Sequence, residues 1–366
     1  MKTVVILATY IGIVNRGAET FVIELVKKLS NEFRFEIYSL GSCSELNDNI
    51  IKIDLKLPFW FNLHQRLYNL FFIYKYLCDF IYVIIPSQIE QKYFTNTVFS
   101  TYLNHRKDLD LIFPCNGYFG AKFAREFRNK FNVPFIYTGH GGIGLGEKKI
   151  LSECPDYYIA LTDVHQIWAS RFSQNVVKIN NGVDVMRFKP TPLLEKKERK
   201  IILCVAALTQ FKRQKLLIDA VALINNVDLV LVGDGEMKNE ILEYGKNKLN
   251  ERFSLFSVSY EDIVFQYNQC DVFSLPSINE PFGIVYLEAM SMNKPIVAPN
   301  DLTRKEIIGD AGLLCDVENP LEYADNLMKA LNIDWKDIPR NRAILNFSWN
   351  KISSDYEKLL FNICNN

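Results

Sequence analysis

Unbroken apolar runs alternate with amphipathic stretches along the whole chain. TVVILAT (3–9) is rich in β-branched residues and reads as a strand buried on both faces. A loop with Gly12 and Gly17 follows. ETFVIELVKKLS then places Phe21, Val22, Leu25, Val26 and Leu29 at helical spacing. FRFEIYSL (33–40) predicts the next strand, and DLDLIFPC, VPFIYTG, DYYIAL and VVKIN (176–180) predict later ones. The pattern then restarts. KIILCVAA (200–207) predicts a buried strand and KRQKLLIDAVALI (212–224) a helix. VDLVLVGDG (227–235) predicts a strand running into a glycine turn. FSLFSV, DVFSL and KPIVAP predict further strands, separated by helical segments near 260–269 and 284–292. Two series of strand–helix alternation imply two similar α/β domains with parallel sheets.

The seam lies in VVKINNGVDVMRFKPTPLLEKKERK (176–200), which has an Asn-Gly turn, two prolines and a charged run. We place the boundary at 190: domains at 1–190 and 191–346, and a terminal helical segment at 347–366. That segment carries Trp349, Ile352, Tyr356 and Leu360 at helical spacing.

Length agrees with this division, since 366 residues suit two domains of ordinary size. Lys+Arg and Asp+Glu each number 42, so no basic excess points to nucleic acid. The eight cysteines are sparse and form no C-x-x-C pair, which suits reduced, mostly buried thiols in a cytoplasmic protein. The apolar start VVILA is too short for a signal peptide. Lys75 and Asp79 interrupt the longest apolar stretch, which argues against a membrane span. Residues 59–82 stand out, with ten aromatics in 24 positions against 13% overall. Two readings fit them: an insertion packed on its own domain, or an amphipathic surface for peripheral membrane contact or a lipid-linked acceptor.

The sharpest chemical signal is EPFGIVYLEAM (280–290), after a strand and a short loop. Glu280 lies in the loop, Gly283 shapes the turn, and Glu288 falls one turn inside the helix that starts near Ile284. A helix start preceded by glycine presents free N–H groups to an anion. Flanking carboxylates can accept hydrogen bonds from sugar hydroxyls. In VAALTQFKRQ (205–214), Lys212 and Arg213 follow the end of a buried strand, where α/β sheets bind ligands. Gly12 and Gly17 are spaced as in a P-loop but lack Lys-Ser/Thr, so that motif is rejected. YTGHGGIGLGE (137–147) matches G-x-G-x-x-G, yet it falls late in its domain without a clean amphipathic helix. His140 there is better read as a polar group offered to a cleft.

Together, the GAE after the first glycine loop, the His140 loop, NGVD, VGDGE and E-x(7)-E resemble family 4 of the retaining GT-B glycosyltransferases. The resemblance is strongest over 176–330. It implies an α/β fold of two Rossmann-like, doubly wound parallel-sheet domains facing across a cleft. It also implies a nucleotide-sugar donor (UDP- or GDP-linked) and a glycan or lipid-linked acceptor, as in surface polysaccharide assembly, with no cofactor and no metal. Glu288 would bind the donor ribose. Glu280, with the backbone of Phe282, Gly283 and Ile284, would hold the sugar and phosphate. Lys212, helped by Arg213, would neutralise the diphosphate. Gly17 would approach the phosphate, His140 would lie beside the transferred sugar, and backbone at Ser257 and Val258 would meet the base. Catalysis would rest on Glu280, His140 and Lys212. One departure is Ala206-Ala207, where the family commonly has Gly-Arg. A sugar-nucleotide epimerase, or a binding module without turnover, stays open beside the transferase.

Overall fold

The computed structural model describes residues 1–13, 17–46, 48–53, 88–115, 117–192 and 198–365. The aromatic stretch 59–82 lies outside them. The chain divides into two compact units. Unit 1 comprises Met1–Ala160, His165–Lys178 and Asp355–Asn366; unit 2 comprises Leu161–Val164 and Ile179–Ser354.

Unit 1 starts with β1 (Lys2–Leu7), β2 (Phe33–Ser39) and β3 (Ile50–Lys52). β4 (Leu111–Pro114), β5 (Ile136–Thr138), β6 (Tyr157–Ala160) and β7 (Val176–Lys178) follow. One parallel sheet has the order β3-β2-β1-β4 and another β5-β6-β7. A bridge from Ile112 to Phe135, with the Ile112 N–H donating to the Pro134 carbonyl at 3.0 Å, continues the first into the second. Val4, Val5 and Ile6 of β1 are wholly buried, as their unbroken apolar run requires. The helix Gly17–Leu29 buries Phe21, Val22, Leu25 and Val26, the face that its spacing marks.

Unit 2 has β8 (Lys200–Val205), β9 (Val227–Val232), β10 (Phe253–Phe256), β11 (Val272–Ser274), β12 (Ile296–Pro299) and β13 (Gly312–Cys315). They form one sheet in the order β10-β9-β8-β11-β12-β13. Numbered from its own first strand this is 3-2-1-4-5-6, the order that β3-β2-β1-β4-β5-β6 gives in unit 1. All the strand pairs are parallel. In both units the order reverses beside the first strand, and ligands of doubly wound sheets bind outside the carboxyl ends at that reversal.

Two expectations shift. The helix expected from 212 runs from Gln214 to Ala222, because Lys212 closes a 3₁₀ turn and Arg213 takes a left-handed φ of 52°. GLLC of β13 was not anticipated, being only four residues long. Cys115, Cys204, Cys270 and Cys315 are buried thiols, while Cys154 is exposed, in a turn with φ 55°.

The NGVD segment is built into unit 2. The Val183 N–H donates to the Phe347 carbonyl at 2.8 Å, and Asp184 accepts from the amides of Met186 and Arg187. A Cβ on Gly182 would lie 2.6 Å from the Trp349 ring, so this glycine lets the terminal helix Trp349–Asn365 pack there. The last residues of that helix are packed with unit 1, where Tyr356 meets the Thr138 hydroxyl at 3.1 Å.

Candidate active site

In unit 2 the order reversal falls between β8 and β11. Lys212 lies in the loop after β8 and Glu280 in the loop after β11. The two meet as an ion pair at 2.5 Å although 68 positions separate them. Both are half-buried, so water screens the pair less than it would a surface bridge. Two contacts tie the loops together, and a third, from the helix Leu302–Ile308, braces the second loop. The Ile278 N–H donates to the Phe211 carbonyl at 2.9 Å, Arg213 Nε donates to the Pro276 carbonyl at 2.8 Å, and the Arg304 guanidinium donates to the Ser277 carbonyl at 2.7 Å. Arg213 also pairs with Glu318 at 2.7 Å, so its charge is already engaged beside the site. Arg304, only 3% exposed, lies beneath the Glu280 loop, and sequence reasoning passed over it.

The helix Ile284–Ser291 starts where the motif places it, with Gly283 as its N-cap at φ 85°. A Cβ there would lie 2.6 Å from the Tyr286 ring and 3.2 Å from Glu280 Cγ. The position therefore needs glycine for conformation and for space. Phe282 is buried, edge-on to Phe347. The first amides of this helix have no intrahelical acceptor, and a helix start of this kind presents free N–H groups to an anion.

Glu288 is buried inside that helix. Tyr267 donates its hydroxyl to Glu288 Oε2 at 2.6 Å. Burial pushes the carboxyl up to about 7, against the opposing pull of Tyr267 and Arg187. Tyr267, 21 positions away, belongs to no motif that marks it. Val258 is half-buried after β10, and the neighbouring Ser257 hydroxyl donates to the Gly233 carbonyl at 3.0 Å. VGDGE has its own steric reason: a Cβ on Gly233 would lie 1.9 Å from the Ala206 carbonyl oxygen. Where the family commonly has arginine, the Ala207 carbonyl accepts from the Gln214 side chain at 2.9 Å.

In unit 1 Gly17 opens its helix, exposed, after β1. His140 lies in the loop after β5. Its ring packs edge-on to Phe21, with centroids 4.8 Å apart. Its Nε2 is shielded, with no hydrogen-bond partner among the described residues. Burial, with His165 nearby, pushes the ring down to about 4, so it is neutral at pH 7. Tyr10, Glu19, Cys115, Gly141 and Glu147 line with His140 a pocket of about 750 Å³. Two glycines of this loop serve packing, whereas a Cβ on Gly144 or Gly146 would meet open space. A Cβ on Gly139 would fall 2.0 Å from the Tyr158 hydroxyl, and one on Gly141 would fall 2.6 Å from Glu147 Oε1. Among the described residues no three of His, Cys, Asp and Glu gather as a metal site, and no helix is long and apolar enough to cross a membrane.

Residues 186–346 match the family model of the glycosyl transferases group 1. The chain is 27% identical over 253 residues to an uncharacterised glycosyltransferase of Methanocaldococcus jannaschii, covering 63% of this chain and 70% of that one. It is 29% identical over 174 residues to the N-acetyl-alpha-D-glucosaminyl L-malate synthase of Bacillus anthracis, covering 45% of this chain and 46% of the synthase. HepE of Anabaena, solved with UDP-glucose, superposes with a TM-score of 0.76 at 18% identity, over 99% of this chain and 100% of HepE. The fold is GT-B. Its second unit is a group 1 glycosyl transferase domain, and the protein is a glycosyltransferase.

Proposed function

We propose that this enzyme moves a sugar from a nucleotide-sugar donor to a glycan or lipid-linked acceptor with retention at the anomeric carbon, in surface polysaccharide assembly. The observation that carries the reading is the meeting of Lys212 and Glu280 at the order reversal of unit 2, over the start of the Ile284–Ser291 helix. A fixed cation and free helix amides suit a diphosphate, and a carboxylate beside them suits sugar hydroxyls. Before the donor arrives, Lys212 and Glu280 neutralise each other. The diphosphate then takes the cation and leaves Glu280 to accept from the sugar. Glu288 accepts the ribose hydroxyls, Phe282, Gly283 and Ile284 offer amides, and backbone at Val258 meets the base. HepE was solved with UDP-glucose, which makes a UDP-sugar the first donor to try.

As the bond to the anomeric carbon breaks, negative charge grows on the leaving diphosphate. Lys212 and the helix start are already oriented toward it. The acceptor hydroxyl attacks from the face that the diphosphate leaves, and its proton passes to a phosphate oxygen. No metal or cofactor is assigned a step. Unit 1 takes the acceptor, and the neutral His140 ring hydrogen-bonds a hydroxyl of the transferred sugar. The enzyme works in the cytoplasm, at or near the membrane that holds a lipid-linked acceptor.

Thermal shift with UDP-glucose, UDP-N-acetylglucosamine and GDP-mannose tests donor binding, because a ligand of the folded state raises its stability. NMR of the product anomer then tests retention. An inverted anomer, or conversion of the donor to another nucleotide sugar without acceptor, overturns the proposal. Ala207 in place of arginine favours a second reading, a binding module. Tight donor binding without nucleoside diphosphate release would establish that one.

A further inference from the structure

Under the His140 loop of unit 1 lies a buried polar chain that the assigned roles do not use. Glu147 Oε1 accepts the Gly141 N–H at 2.9 Å, and Oε2 accepts the Tyr158 hydroxyl at 2.8 Å. The same hydroxyl lies 3.0 Å from His165 Nε2. Glu147 is 6% exposed and His165 2%. The chain spans three elements: the helix Leu145–Leu151, β6, and the helix Asp163–Ala169. Gly139 and Gly141 carry no Cβ because Tyr158 and Glu147 fill that space.

We infer that Glu147 is a positioning residue that, as a carboxylate anchored by Tyr158 and His165, holds the Gly141 amide and thereby the backbone that carries His140. Its effect on turnover rests on the reading of His140 given above. Among groups near it, Tyr158 donates to Glu147, while Tyr137 of β5 feels its charge. Glu19, His140 and Lys149 line the same pocket. From the packed helix Gly117–Phe131, Arg125 pairs with Glu153 at 3.0 Å. Burial pushes Glu147 up to about 7, against the pull of Tyr158 and Gly141. On protonation the acceptor of the Gly141 N–H loses its charge, and the loop is held less firmly as pH falls.

The test has a structural arm and a kinetic arm. The Gly141 amide shift of 15N-labelled protein is followed from about pH 5.5 to about pH 8.5, where a group of this position titrates. A step with its midpoint near 7 is expected, absent in Glu147→Gln. Tyr158→Phe removes one donor to the carboxylate and raises the midpoint. A flat Gly141 shift, or a step that persists in Glu147→Gln, overturns the inference. So does an unchanged midpoint in Tyr158→Phe. In the kinetic arm, Glu147→Gln lowers kcat about tenfold, the scale of one lost charged hydrogen bond. It also removes the fall in kcat on acidification and leaves the donor KM within about twofold. An equal rise in KM overturns the positioning role. No turnover with any donor, beside an intact Gly141 step, counts against the glycosyltransfer reading and leaves the anchor standing.

Discussion

In unit 2 the loops at the order reversal face each other with opposite charges. Lys212 and Glu280 are half-buried and held by Ile278, Arg213 and Arg304. Unit 1 has the same strand order, yet the polar groups near its reversal are sunk beneath the loop. Glu147, Tyr158 and His165 satisfy one another there, and His140 above them is neutral. Strand order sets where a site forms. Side chains decide whether that place offers a fixed charge to an anion or a neutral, shaped surface to hydroxyls.

The sharpest way to break this contrast is to remove the charge from unit 2. Lys212→Ala should cut nucleoside diphosphate release at saturating donor by ~10²–10³, the usual loss for one preorganised group. A variant that folds and keeps more than about a tenth of the rate moves charge stabilisation elsewhere.

The reverse test strikes the packing of unit 1. Gly139→Ala puts a Cβ 2.0 Å from the Tyr158 hydroxyl. It should destabilise unit 1 by about 1–3 kcal/mol, the range for overpacking a buried site. Calorimetry should show the loss while the part of donor affinity that the proposal assigns to unit 2, read with free UDP, stays as in wild type. A fall in donor affinity as large as the fall in stability would show that the two properties are not separable by unit.

Glu288 sharpens the comparison, because it is the buried carboxyl of the charged unit. Its folded-state value, about 7, lies above the ordinary 4.5. The stability that it contributes is therefore full below 4.5 and lost as pH rises through about 7. Ribose hydroxyls donate to the carboxylate, so donor binding should tighten about tenfold between about pH 6 and pH 8. Glu288→Gln should abolish that dependence and bind more weakly at the upper end. Titration calorimetry at several pH values checks both; a slope that survives the substitution removes Glu288 from the ribose role.

The smallest effect is expected at Arg213. Its guanidinium is spent on Pro276 and Glu318, so Arg213→Ala should lower turnover less than about tenfold, through looser loops. A loss equal to that of Lys212→Ala would show that Arg213 turns to the diphosphate when donor binds.

Much of this protein is legible in its sequence. Apolar runs mark β1 and β8 because a strand covered on both faces has little room for polar residues. EPFGIVYLE marks a turn, a helix start and two carboxylates at fixed spacing, since all three lie within a few residues of chain. The glycines at 139–144 show the limit. As letters they match a phosphate-binding fingerprint; in the fold, Gly139 and Gly141 are glycine because Tyr158 and Glu147 occupy the space of a side chain. β13 and the Arg213 turn escaped because four residues, or one left-handed φ, leave no periodicity.

By itself the sequence determined two α/β domains, the helix start at Ile284 and the candidacy of Lys212, Glu280, Glu288 and His140. It could do so because periodicity and motif spacing are local properties of the chain. Tertiary structure alone decided that Lys212 finds Glu280, that Tyr267 finds Glu288, that Arg213 turns to Glu318 and that Glu147 reaches Tyr158. Those contacts join separate elements, one across 68 positions of chain and another across 105. Which loops meet depends on the order of strands in the sheet, and that order is fixed only when the apolar faces of all the strands are buried together.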